Sequence, residues 1–148
     1  VFTPKEIPGL SNDALNVLLR NDGKTPSCWS AVTLVIGSKA AVILNSSHSP
    51  GRQSSDLAHE LAHRIRGHVT HSMQVSAEGI MFISEYDKLQ EDEADWLASC
   101  LLLPRDALIK IKRQGLELAV AASEFGVSLQ MLKYRMARSG VERQFSTY

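Results

Sequence analysis

Two cysteines in 148 residues, Cys28 and Cys100, are too few for a disulfide framework. Cys100 sits in an apolar helical run, where a buried free thiol is expected, and the setting read from this usage is reducing and cytoplasmic. Long hydrophobic runs are missing too: the longest, such as Ala40-Ala41-Val42-Ile43-Leu44, have the length of a buried strand, far short of the ~20 residues of a bilayer span, so no membrane protein is expected. The opening residues, Val1-Phe2-Thr3-Pro4-Lys5-Glu6, have neither the basic start nor the apolar stretch of a signal peptide. Neither sign of charge prevails. Sixteen Lys plus Arg balance sixteen Asp plus Glu, so no whole-chain field draws the protein to nucleic acid or to an anionic membrane. With 44% hydrophobic and 22% charged residues, the length fits one globular domain.

The charge is unevenly spread. Residues 1–103 hold eight basic and twelve acidic side chains, residues 104–148 eight and four, which predicts different tasks for the two segments. The chain divides into an N-terminal segment with a short helix (1–29), a sheet with two chemistry-bearing helices (30–103) and a basic helical tail (104–148). Ser11-Asn12-Asp13 supplies N-cap chemistry for a helix to about Arg20. Two β-branched runs, residues 30–36 and 39–45, flank Gly37-Ser38 and predict an antiparallel hairpin. Residues 46–52, with Pro50-Gly51, read as a loop, and Ser54-Ser55-Asp56 as the start of a helix lasting to about Gly67. A long connection over 69–86 carries a short strand at residues 80–83. Helices follow over 87–103, stopped by Pro104, over 105–113, and as a pair within 116–139 split at Gly126-Val127-Ser128. The fold class is α+β: a mainly helical single domain around a small antiparallel sheet.

His59-Glu60-Leu61-Ala62-His63 lies inside a predicted helix, and a spacing of four puts both imidazoles on one face, able to share a metal ion. Glu60 is next to that face and can take a proton from water that Zn²⁺ has acidified. By composition such a motif arises about 0.01 times by chance in a chain of this make-up. Ala58 and Ala62 are small and let a second helix approach with a third ligand. His68, His71 and the cluster Glu91-Asp92-Glu93-Ala94-Asp95 are the candidates. Relative to an all-histidine zinc site, His68 and His71 are out of register. Glu91 shares a face with Ala94, Asp95, Ala98, Leu101 and Leu102, an inward stripe at helical spacing, and is the best third ligand. Asp95, one turn on, is placed to accept the Nδ1 hydrogen of a ligating histidine. Asp92 and Glu93 point to the sides.

Together these residues resemble the ImmA/IrrE family of zinc metallopeptidases. The likeness rests on residues 59–63, on Glu91 with Asp95 and Ala98, on Leu101-Leu102-Leu103-Pro104, on Ala122-Ser123-Glu124-Phe125-Gly126-Val127-Ser128 with Leu132 and Arg135, and on Val42-Ile43-Leu44-Asn45, about residues 30–140 in all. It implies a zincin-like pair of active-site helices, one Zn²⁺ per chain on His59, His63 and Glu91, and Glu60 as general base. It also implies a protein substrate, a helix-turn-helix repressor encoded nearby, whose cleavage relieves repression in mobile elements or stress responses.

The expected chemistry is water-mediated peptide hydrolysis, with His71, His68 and Tyr86 as candidate oxyanion donors and the 39–45 strand as an edge for an extended substrate. Two other classes compete with it. One is a zinc-stabilised module that holds a repressor without cutting it. The other is DNA binding by the basic tail through Lys133, Arg135 and Arg138, although Phe125, Val127, Leu129 and Leu132 look like packing residues there.

Overall fold

The computed structural model describes residues 1–19, 29–36, 39–68, 73–75, 81–83 and 87–145. Alternating β-branched residues build the first sheet: β1 (Ala31–Ile36) pairs antiparallel with β2 (Lys39–Leu44), Thr33 opposite Val42 and Val32 opposite Ile43. Val42 and Leu44 turn into the interior while Lys39 and Ala40 stay exposed, the one-sided pattern of a sheet covered on one face. The outer edge of β2 is partly taken. Phe2 donates its N–H to the Val42 carbonyl (2.8 Å) and accepts from Leu44 (2.9 Å), so the chain's own N-terminal stretch pairs with residues 42–44 of the edge along 39–45 expected to receive substrate. A second two-stranded sheet pairs β3 (Met73–Val75) with β4 (Met81–Ile83); β4 answers the strand expected at 80–83, and β3 had no counterpart in the sequence reading.

Helix α1 spans Asn12–Leu18, capped by the Ser11 hydroxyl. Buried Asn45 then shapes the exit from β2. Its side-chain N–H₂ donates to the Trp29 carbonyl and its oxygen accepts from the Ser47 amide and hydroxyl. The central helix α2 runs Pro50–Arg66, one turn longer at its start than Ser54-Ser55-Asp56 suggested. Pro50 looks like a turn residue but has the fixed φ that suits the first helical position, where its missing N–H is no loss. Gly51 follows for a tertiary reason: a Cβ there would lie 2.5 Å from the Val127 carbonyl oxygen.

Helix α3 (Lys88–Leu102) begins under the Asp87 carboxylate, which accepts from the Leu89 and Gln90 amides. It packs against α2 through Ala58, Ala62, Ala94 and Ala98, none more than 6% exposed. Leu101, expected on this inward stripe, faces out at 54% exposure, while Leu102 beside it packs inward. Beyond Pro104 come α4 (Arg105–Gln114), α5 (Leu118–Glu124), α6 (Leu129–Ser139) and α7 (Val141–Phe145). The last lies past the sequence-predicted helices. Leu103, Leu108, Ile111, Leu132, Met136 and Val141 form their core, and Leu102 and Met131 touch both this core and the alanine contact. The result is one mainly helical α+β domain.

The tail departs from the sequence reading in two places. Arg135, offered there as a phosphate contact, is 8% exposed and donates from Nε to the Leu103 carbonyl at 3.0 Å, satisfying a carbonyl that Pro104 leaves without a helical partner. Leu129, expected to pack, is exposed. Cys100 is half-buried and a free thiol. Among the described residues, no helix is long and apolar enough to cross a membrane.

Candidate metal centre

The alanine contact between α2 and α3 decides what meets across it. With only methyl groups between the helices, the longer side chains flanking them reach across the gap. His59 and His63, one turn apart on α2, bring their Nε2 atoms to 3.0 Å from each other. Glu91, in the first turn of α3, places Oε2 3.1 Å from His59 Nε2 and Oε1 3.5 Å from His63 Nε2. Four-coordinate zinc with bonds of about 2.0–2.1 Å has donor–donor edges of about 3.3 Å. The three donors already stand at that spacing, so two imidazole nitrogens and a carboxylate fit a Zn²⁺ ion. All three residues are partly exposed, which keeps one side of the cluster reachable. Of the described residues, these alone form a metal-competent cluster.

Each ring turns its second nitrogen outward. His59 Nδ1 donates to Asp95 Oδ1 at 2.8 Å. Burial, the largest single influence on His59, lowers its basicity; the Asp95 hydrogen bond and the charges of Asp95, Glu91 and Glu60 outweigh it and leave the imidazole above its ordinary value. His63 is pushed the other way, first by burial and then by the neighbouring His59 charge. Glu60 lies close enough to favour the protonated form of both rings. Its carboxylate accepts a hydrogen bond from the Thr33 hydroxyl of β1, so the sheet, too, contributes to the site.

His68 follows Gly67, whose left-handed backbone (φ 69°) ends α2 and turns the chain back. Its Nδ1 lies 3.0 Å from His63 Nδ1 and its Nε2 3.1 Å from Glu93 Oε2, so both ring nitrogens are engaged within the protein. The other two candidate oxyanion donors, His71 and Tyr86, lie outside the described residues. Thr33 reads in the sequence only as a strand residue, and Glu93 only as a member of the acidic cluster pointing to the side. For Thr33 the available signal was a threonine in an otherwise apolar strand, beside the helix bearing residues 59–63. Glu93 reads in the sequence as one more solvated carboxylate.

The Peptidase_M78 family model, described as the IrrE N-terminal-like domain, matches residues 22–137, more than three quarters of the chain. The chain belongs to this peptidase family. No curated protein and no solved structure matches it. The match agrees with the resemblance drawn from residues 59–63, 91–104 and 122–135, and it covers the hairpin, both site helices and the α5–α6 pair within one unit.

Proposed function

We propose that this member of the peptidase family is a zinc-dependent endopeptidase that cuts a protein substrate, a helix-turn-helix repressor being the substrate class that the family resemblance supports. The observation that carries the reading is the convergence of His59 Nε2, His63 Nε2 and the Glu91 carboxylate on one point, with Glu60 beside them on the same helix. His59, His63 and Glu91 would hold the metal. When bound, Zn²⁺ supplies Lewis-acid polarisation of the scissile carbonyl and lowers the pKa of water.

The chain's own residues do the rest. Glu60 takes the proton from the attacking water and hands it to the departing amine, while the Thr33 hydroxyl holds the carboxylate in place from the sheet. Asp95 keeps the His59 proton on Nδ1, leaving the Nε2 lone pair facing the cluster. The test is to incubate metal-loaded protein with the helix-turn-helix repressor encoded beside its gene and to follow fragments by mass spectrometry. Glu60→Gln is expected to keep one Zn²⁺ per chain and lose cleavage by at least ~10²-fold. Undiminished cleavage by Glu60→Gln would remove Glu60 as the base. Lasting intactness of the repressor with the wild type would overturn the substrate assignment.

A further inference from the structure

We propose that His68 and Glu93 are positioning residues for the metal ligand His63, forming a carboxylate–imidazole–imidazole chain that fixes its tautomer and ring orientation; this rests on the metallopeptidase reading of the site. Proton placement carries the inference. His63 presents Nε2 to His59 and Glu91, and a ligand nitrogen needs its lone pair, so the ring hydrogen belongs on Nδ1. That atom faces His68 Nδ1 at 3.0 Å. Of two nitrogens so close, one donates and one accepts, and His68 must therefore accept there and carry its own hydrogen on Nε2. Nε2 is the atom 3.1 Å from the Glu93 carboxylate. A single consistent assignment runs from Glu93 through His68 to the lone pair of His63.

Other features hold this chain in one arrangement. The left-handed Gly67 folds His68 back so that its amide donates to the His63 carbonyl at 3.0 Å, and the two rings stand edge to face at a 5.0 Å centroid separation. The His68 side chain is only 7% exposed. Arg66 donates twice to the same Glu93 oxygen, from Nε at 3.1 Å and a terminal nitrogen at 3.0 Å, which anchors the carboxylate at the far end. The two ligands are thus supported differently. His59 reaches its carboxylate directly, at an Asp95 that is 51% exposed and lines an open cavity of about 280 Å³. His63 reaches one, at the partly exposed Glu93, through the buried His68 ring.

The test combines Zn²⁺ affinity by chelator competition, the visible spectrum of the Co²⁺-loaded protein and imidazole ¹⁵N NMR of the metal-free protein. It uses wild type, His68→Ala, His68→Gln and Glu93→Leu. Loss of the outer partner of a metal-bound histidine weakens binding by about 10–100-fold, and that loss is expected in His68→Ala, together with shifted Co²⁺ bands. His68→Gln, whose amide can accept from His63 and donate to Glu93, is expected to recover part of both. In the metal-free wild type, His63 should carry its hydrogen on Nδ1 and lose that preference in His68→Ala. Wild-type affinity and an unchanged Co²⁺ spectrum in His68→Ala would refute the relay. Should that variant fail to fold, Glu93→Leu, which leaves no acceptor for His68 Nε2, decides by the same readouts, and wild-type behaviour there is equally fatal. If the wild type itself takes up no metal, the metallopeptidase reading falls, and the tautomer measurement separately decides the relay: a His63 tautomer indifferent to His68 overturns it.

Discussion

The donor spacing of the metal centre depends on methyl groups, and Ala94→Leu is the substitution that tests this. Ala94 is fully buried against α2, three residues from Glu91 and one from Asp95. Helix axes pack roughly 8–10 Å apart according to the residues at the contact, so three added carbons can move α3 outward by on the order of 1 Å. The Glu91 oxygens, now 3.1 and 3.5 Å from the two Nε2 atoms, would then lie well beyond the edge of about 3.3 Å that zinc bonds impose. Overpacking of this kind costs about 1–3 kcal/mol. For a chain of this size that lowers the melting temperature by roughly 2–12 °C, and zinc affinity should fall by at least the ~10–100-fold that misplaced ligand support costs. The assay is a thermal melt of metal-free protein followed by competitive Zn²⁺ titration, with exposed Ala119→Leu as control, expected within about ±0.5 kcal/mol of wild type. An Ala94→Leu protein that melts and binds zinc like the wild type would show that the alanine contact does not set the spacing.

Two further perturbations read other parts of the structure. Gly51→Ala drives a Cβ against the Val127 carbonyl and strains the Ser55–Ser128 hydrogen bonds beside it; a loss of about 1–3 kcal/mol is expected, and denaturant unfolding with an unchanged midpoint would contradict the contact. Glu93 is held below the ordinary carboxylate value of 4.5, first by the His68 hydrogen bond and then by Arg66. A depressed folded pKa adds stability above the unfolded value and loses it as pH falls through the folded one. The difference in melting temperature between wild type and Glu93→Gln should therefore stay level above pH 4.5 and shrink below it; a gap that widens on acidification would reverse the assignment.

What could be read from the sequence was what depends on local chemistry. The hairpin, α3 with its stop at Pro104, and the α5–α6 pair follow from β-branched runs, proline and capping serines, and the placing of residues 59, 63, 91 and 95 follows from helical periodicity alone. Tertiary causes were not visible. Pro50-Gly51 has turn chemistry, and only the approach of Val127 explains why a glycine stands in the first turn of α2. Arg135 reads as a surface cation until the Leu103 carbonyl, thirty-two residues away in sequence, appears as its partner. His68 could be counted among residues near the site, but its direction depends on the left-handed Gly67, and the cap that Phe2 places on β2 involves no side-chain pattern at all.

Leu102 and Met131 touch both the alanine contact and the C-terminal core, and the Ser55 hydroxyl bonds with Ser128 across seventy-three residues of chain. The opposite charges of the two segments suggested a division of labour, yet these contacts join them in one cooperative unit. A defect deep in α6 is thereby felt at His59, His63 and Glu91 as a change in how often the whole unit opens. The basic tail is the keel of the α2–α3 pair, and amide exchange in α2, α3 and α6 should slow or quicken together.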